Sequence, residues 1–439
     1  ERLRELGAIP SDARGPAEWN CSAALCAFLQ LPRDLAGAVK AVFGQTLDKA
    51  PRSRAKGWNP MEDGFLAVEM RRYAGRDALA CLALWNHLER HWPAHERRLF
   101  ELTSEMGRRG LAVEWEHVRA SRQGTSAKDP GFIEWADANP DSVGTGWARD
   151  MQRIRSANRT ARVLEAMEAR RMPGGRMAYE LRYFGASTGR WSGGGGLNLQ
   201  NLNRKTAEGV DLRRAIVAPP GRVLAVVDYS QIESRVLLYL AGDTEALRLF
   251  RENPEADAYE IHARSTMGYA EPAPLKDWCE KTGSGLRQLA KARVLGLGFG
   301  CGWRKFIEVA RVMAGLDLTE EESKRIVPES AVDEVLQIVK DFRASNSRIV
   351  DLWYRLHDAC AARDGGNFAI PLPVTQHDPG AKRFLLYRDV AVRDDTITCT
   401  VGGERIHVYG GLLAENWTQA TARDVLAFAW LRCADAGFL

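Results

Sequence analysis

The chain has 439 residues, of which 45% are hydrophobic and 27% charged, with a formal net charge of +4. This is the composition of a folded soluble protein of roughly two to four domains. There is no apolar run of about 18 residues, which excludes a membrane helix. The eight cysteines form no C-x-x-C pair and no histidines are grouped near them, so a reduced, cytoplasmic compartment without structural zinc is expected. The opening ERLREL, which lacks an initiating Met, is a charged helical pattern, and no signal peptide is expected.

Residues 1–92 read as helical and end in DGFLAVEMRRYAGRDALACLALWNHL, with apolar residues at helical spacing. Residues 93–180 are again helix-rich, interrupted by the polar stretch SRQGTSAKDPG at 121–131. Between Arg153 and Arg176 seven arginines face two glutamates, Glu165 and Glu168, which suits either a solvated helix face or a surface that tracks phosphates. The Gly-rich break GRWSGGGG (189–196) precedes alternating, strand-like runs around 214–228. Residues 243–345 are predominantly helical, strand-like pieces return at 368–374, 384–392 and 396–408, and a last helix starts near Gly411. No internal repeat is evident.

Two constellations carry chemistry. In VLAVVDYSQIESRVLLYL (223–240) an apolar run ends on Asp228, followed by a polar hinge (Tyr229, Ser230, Gln231) and an amphipathic segment with Ile232, Val236, Leu237 and Leu240. A carboxylate at the end of a buried strand, beside a helix start, is where an α/β protein places a metal-binding acid. In RQLAKARVLGLGFG (287–300), Arg287, Lys291, Leu295 and Phe299 recur every four residues. At about 100° per residue they form one slowly spiralling stripe on a helix. Two cations followed by two bulky apolar groups suit a ligand with a charged tail and an aromatic head, as in a nucleoside triphosphate.

The first string resembles the DYSQIExR signature of family A DNA polymerases, and the second resembles that family's R-x3-K-x7-YG fingers helix, here ending Phe299-Gly300. Further segments fall in the family's order. Thr188-Gly189-Arg190 and Leu199-Gln200-Asn201-Leu202 resemble the TGR and LQN elements that contact primer-template DNA. Asp257 to His262 resembles the D-x-H element, and Tyr409-Gly410-Gly411 with Glu415-Asn416 and the Gln419-to-Asp424 run resembles the helix before the last catalytic motif. Tyr73-x3-Asp77 resembles the third motif of a 3′–5′ proofreading exonuclease.

The resemblance implies an α/β (α+β) right-hand polymerase of palm, fingers and thumb, preceded by the C-terminal part of an RNase H-like 3′–5′ exonuclease domain. The expected divisions are exonuclease 1–92, thumb 93–185, first palm segment 186–242, fingers 243–345 and second palm segment 346–439. It implies DNA synthesis from dNTPs on a primer-template with two Mg²⁺ ions, by a monomer whose replisome or processivity partner is unspecified. Asp228, aided by the Tyr229 carbonyl, would hold the ions, and Arg287, Lys291 and His262 would neutralise the triphosphate, Lys291 also counting as catalytic. Glu233 would fill the space of a ribose 2′-OH, and Leu295 and Phe299 would pack near base and sugar. Arg190, Gln200, Asn201 and Gln419 would contact DNA, Arg190 and Gln419 in the minor groove. Tyr73 would orient a water and Asp77 would hold an exonuclease metal.

Three departures from the family pattern stand out: Leu295 where an aromatic ring is usual, Phe299 where Tyr is usual, and Asn203 where Pro is usual before Arg204. The partner acid of Asp228 is expected in an HDE turn after the Gln419 helix. The two His-Asp pairs present, His357-Asp358 and His377-Asp378, precede that helix. No D-x-E occurs in 1–72. The chain therefore reads as an interior fragment that completes neither reaction by itself. Two other readings compete: a single-subunit RNA polymerase relative, which Glu233 opposes, and a degenerate nucleic-acid-binding protein, which joint retention of Asp228, Arg287 and Lys291 opposes. The wording of the Gly-rich break and of the last helix leans towards a phage replicative enzyme.

Overall fold

The computed structural model describes residues 21–56, 64–124, 158–202, 210–255, 257–316, 318, 331–373 and 383–438. The chain divides into two units, residues 1–97 and 98–439. The first contains α1 (Ser22–Phe28), α2 (Leu35–Phe43), α3 (Ala50–Arg54) and α4 (Gly64–Leu88), with α1, α2 and α3 each packing on α4. Asp34 starts α2 by accepting the Gly37 N–H, and Gly44 ends it at φ +68°, the polar-start, glycine-stop pattern of a short helix. Helix α5 (Ala94–Arg109) carries the chain from one unit into the other.

In the second unit β1 (Leu111–Ala112), α6 (Trp115–Gly124), a helical stretch at 158–168 and β2 (Arg176–Met177) enclose a small core of Val113, Trp115, Val118, Leu164, Met167 and Met177. Then come β3 (Leu181–Arg182) and β4 (Ser192–Gly193). The helical body is α7 (Ile232–Ala241), α8 (Thr244–Glu252), α9 (Ala258–Thr266), α10 (Leu275–Thr282), α11 (Leu286–Ala292), α12 (Trp303–Ala314), α13 (Ala331–Ser345) and α14 (Ser347–Ala361). An antiparallel sheet follows, in the order β5 (Phe368–Pro371), β6 (Phe384–Arg393), β7 (Thr396–Val401) and β8 (Glu404–Val408), before the closing helix α15 (Gly410–Asp435). In β7 the sequence TITCTV alternates, and Ile397 and Cys399 face the core. Its hairpins turn on Asp394-Asp395 and Gly402-Gly403, all at positive φ, as two-residue hairpins require.

The pieces expected at 368–374 and 384–392 correspond to β5 and β6, the single piece expected at 396–408 is instead two strands, β7 and β8, and the described residues of 243–345 are mostly helical. The strand at 223–228 does not form. Residues 222–229 form no strand and are exposed, with Val223 and Val226 90% and Val227 89% accessible. In the preceding stretch the backbone makes a 3₁₀ turn at Arg213–Ala215 and a single bridge from Ile216 to Val113. A strand needs a neighbour to take its N–H and C=O groups, and apolar alternation cannot tell whether one is at hand. Asp228 therefore lies on an exposed loop rather than at the tip of a buried strand.

Residues Gly410 and Gly411 let three elements close on one another. A Cβ on Gly410 would stand 2.0 Å from the Trp353 carbonyl oxygen of α14, and one on Gly411 2.1 Å from the Phe299 carbonyl oxygen. The indole Nε1 of Trp353 donates to the Gly298 carbonyl at 3.1 Å. The missing side chains are thus what bring the end of the Arg287 segment, α14 and α15 together.

Candidate active site

The turn after Asp228 is built by local hydrogen bonds. The Ile232 N–H donates to the Tyr229 carbonyl at 3.3 Å, and Arg235 Nε donates to the Ser230 carbonyl at 3.1 Å. Gln231 takes left-handed backbone (φ 52°, ψ 42°) to enter α7, and its side-chain oxygen accepts the Ala258 N–H at the start of α9. This side chain couples the Asp228 turn to the helix that carries His262.

The Arg287 stripe sits on a mixed helix. Helix α11 ends at Ala292 and passes into a π-helical turn, Arg293–Leu297, so Leu295 lies in the π turn and Phe299 beyond it. The regular α-helical spiral expected from the spacing is corrected accordingly. All four stripe residues are half-buried, whereas Leu289, Ala290, Ala292, Arg293 and Leu297 are buried, so the stripe lies on the more accessible side, with the exposed Gln288 beside Arg287. Arg287 donates to the Asp257 carboxylate and lies over the Tyr259 ring, 5.1 Å from its centroid. Lys291 makes no hydrogen bond or ion pair with the described residues.

A cavity of about 490 Å³ brings together Glu233, His262, Leu295 and Phe299, with Leu237, Phe342 and Glu415 in its wall. Arg287, Lys291 and Asp228 are not among its lining residues. His262 is buried, 5.6 Å between ring centroids from Phe342. Burial, and then the nearby Arg293 charge, push its pKa from 6.5 down to about 3. It is a neutral imidazole near neutral pH, so the expectation that it neutralises triphosphate charge is corrected: it can hydrogen-bond but brings no positive charge. Arg293 itself is buried, and its Nε and Nη2 have no hydrogen-bond partner.

Glu233, in the first turn of α7, pairs with Arg190 at 3.4 Å. Gln419 Nε2 donates to Glu415 at 3.0 Å. Glu415 has its pKa raised, by burial first and then by Glu233, with Arg190 opposing. Arg190, Glu233, Glu415 and Gln419 thus make one polar cluster joining the TGR loop, α7 and α15. Gln200 donates to the Trp191 carbonyl at 3.2 Å, and the exposed Asn201 ends the same 3₁₀ turn.

The loop bearing Arg190 is held from below by groups whose role the sequence did not disclose. Buried Arg423 donates to the Gly189 carbonyl at 3.1 Å and to Asp424 at 3.1 Å. Arg383 pairs with Asp424 at 3.0 Å and donates to the carbonyls of Thr188 and Ala420. Its guanidinium and that of Arg423 both lie over Phe184, 5.3 and 4.8 Å from the ring centroid. The ARD string was legible, but Arg383 is some 40 residues away in sequence and no local pattern links them.

Of the seven arginines between 153 and 176, Arg153 and Arg155 lie outside the described residues. Arg170 donates to the Ala166 and Gly195 carbonyls, Arg171 covers Trp115, and Arg176 donates to the carbonyls of Arg109 and Gly110. These three are occupied in holding loops, which leaves Arg159 and Arg162 exposed on the helical stretch. His357-Asp358 is helical, within α14, whereas His377-Asp378 and Asn203-Arg204 lie outside the described residues.

In the first unit Tyr73 and Asp77 do meet on α4, with a third partner. Lys49 Nζ donates to both Asp77 oxygens at 3.1 and 3.0 Å and to the Tyr73 hydroxyl at 3.3 Å. A cation therefore stands where a metal reading needs further acids. Among the described residues no group of three His, Cys, Asp or Glu side chains is placed to hold a metal ion. Asp228 supplies one exposed carboxylate, too small a set for two ions.

A family model, DNA polymerase family A, matches residues 148–328. The chain is 25% identical to the DNA polymerase of Bacillus phage SP02, over 96% of this chain and 78% of the relative. It is 36% identical to DNA polymerase I of Pseudomonas aeruginosa over 35% of this chain and 46% identical to the thermostable DNA polymerase I of Thermus thermophilus over 18%, spanning 15% and 9% of those proteins. The POL domain of Pol1 from M. smegmatis, solved in complex with DNA primer-template and dNTP, matches in fold with a TM-score of 0.59, at 16% identity, over 94% of this chain and 72% of that one. No described helix is long and apolar enough to cross a membrane. The matched segment contains the TGR loop, the Asp228 turn and the Arg287 stripe in order, so residues 148–328 are similar to a family A DNA polymerase domain.

Proposed function

We propose that this chain belongs to an enzyme of template-directed DNA synthesis that adds dNTPs to a primer 3′-OH, in the replication of a phage. The observation that carries the reading is the convergence of Glu233, Leu295 and Phe299 on one cavity, next to the Arg190–Glu233 pair, inside the matched polymerase domain. The phage reading rests on similarity to the SP02 polymerase over nearly the whole chain.

In the reaction the primer 3′ oxygen attacks the α-phosphorus, the bond to the bridging oxygen of the β-phosphate breaks and pyrophosphate leaves. Such polymerases generally work with divalent ions, which neutralise the developing charge. Asp228 would be one ligand, and since the described residues do not complete the set, no step is routed here through a metal. Arg287 and Lys291 bind the triphosphate, Arg287 by its fork and Lys291 as a point charge. Leu295 and Phe299 pack beside the sugar and base, and Glu233 excludes a 2′-OH by filling its space. Arg190 and Gln419 contact the minor groove, whose acceptors are nearly sequence-independent, with Gln200 and Asn201 beside them. Proofreading would fall to Tyr73 and Asp77. With Lys49 on both, we assign them no hydrolytic step.

Single-nucleotide incorporation by the protein carrying this chain tests the reading. Asp228→Ala should abolish extension with primer-template binding retained, and Glu233→Ala should admit rNTPs. Undiminished extension by the first variant would refute the catalytic assignment. An unchanged dNTP-to-rNTP preference in the second would favour the RNA polymerase alternative.

A further inference from the structure

We infer that Asp257 is a positioning residue that holds the Arg287 guanidinium in reserve by standing in for a phosphate, and that an incoming triphosphate displaces it. The inference rests on the nucleotide reading of Arg287 above. Its basis is the division of labour within one carboxylate. Oδ1 of Asp257 accepts the N–H groups of Tyr259 and Glu260 at 3.1 and 2.9 Å and so completes the start of α9. Oδ2 takes no part in that cap and meets Arg287 Nη2. Releasing Arg287 therefore costs the cap nothing.

The guanidinium is held only in part. Its Nε is shielded from solvent and has no hydrogen-bond partner, and its flat face rests on Tyr259. One anionic oxygen satisfies one edge of a group built to hold two. Both side chains are about a quarter exposed, 26% for Arg287 and 25% for Asp257, so an anion from solvent can reach the pair. A triphosphate brings more charge and more oxygens than a carboxylate, and Lys291, one helical turn on, has no partner to give up among the described residues. The third N–H at the start of α9, that of Ala258, donates to Gln231 in the Asp228 turn. Exchange at Asp257 thus happens where the turn and the Arg287 helix meet.

While Asp257 holds Arg287 it competes with the triphosphate and repels it, so removing its charge should tighten nucleotide binding. Asn is as good a helix-starting residue as Asp, which makes Asp257→Asn a near-isosteric probe of charge alone. Equilibrium binding of dATP, and of inorganic tripolyphosphate, to the 439-residue chain is the measurement. Asp257→Asn should lower the Kd for both about fivefold, whereas a residue with a merely structural role would weaken binding when removed. On the Arg287→Ala background the same change should have no effect beyond twofold, because nothing remains to be released. Asp257→Ser, which also starts helices, should repeat the gain. An unchanged or raised Kd in a folded Asp257→Asn variant, with wild type still binding, overturns this inference and leaves the nucleotide reading standing. Failure of the wild-type chain to bind either probe removes the nucleotide reading and this inference with it. Failure of both the Asn and Ser variants to fold also overturns it, since the cap is claimed to survive without the carboxylate.

Discussion

Replacing His262 by Leu should flatten the acid side of the stability profile by a calculable amount. In the folded chain burial and the Arg293 charge hold this imidazole at a pKa of about 3, while in the unfolded chain it titrates near 6.5. Above about pH 6.5 neither state takes up a proton here. Below it the unfolded chain does and the folded chain does not, so each pH unit costs the folded state about 1.4 kcal/mol until the folded pKa is reached. At pH 5.0 the wild type should therefore have lost about 2 kcal/mol through this one group, a loss that Leu cannot suffer. Every other ionisable group is common to wild type and variant, so the difference between the two proteins isolates this one imidazole. Urea unfolding of both proteins at pH 7.5 and 5.0 gives the comparison. Leu at this site also loses the contacts between Thr266 Oγ1 and the ring nitrogens, a cost that is the same at both pH values. If wild type and variant lose the same stability between the two pH values, the imidazole is not held neutral in the fold and the reasoning fails.

Two further substitutions test how the site is held. Gly411→Ala would place a Cβ 2.1 Å from the Phe299 carbonyl, a backbone contact that cannot yield cheaply. A loss of about 2 kcal/mol or more in urea unfolding is expected, and a neutral result would mean that α15 does not approach Phe299 this closely. Arg423→Met removes a buried guanidinium from Gly189, Asp424 and three aromatic rings. With Arg383 still on Asp424, the cost should be about 3 kcal/mol; a loss below about 1 kcal/mol would show that the TGR loop does not depend on it.

Much of this arrangement was legible because local chemistry sets it. The strand-like pieces at 368–374 and 384–392 and the helical period of 243–345 act over a few residues, whereas the Gly402-Gly403 turn that splits the piece read at 396–408 into β7 and β8 went unread. The apolar run at 223–227 read as a buried strand for the same reason, but burial needs a neighbour, which periodicity does not encode. The Arg287 stripe was readable as spacing, while the π turn at 293–297 leaves no mark in that four-residue recurrence. His262 was legible as a motif residue. Its loss of charge was not, because Phe342 and Arg293, which surround it, come from distant parts of the sequence or from another helix. Lys49 on Asp77 and Arg383 on Asp424 are long-range pairs of the same kind, invisible until the chain is folded.

Lys291 offers the cleanest test of the nucleotide site, because it has no hydrogen-bond or ion-pair partner among the described residues to leave stranded. Equilibrium binding of a matched dNTP to the primer-template complex, wild type against Lys291→Ala, reads its contribution directly. A Kd raised at least tenfold, about 1.4 kcal/mol, with an unchanged unfolding midpoint is the predicted result. An unchanged Kd would contradict the assignment of the Arg287–Lys291 face to the triphosphate, and with it the central claim.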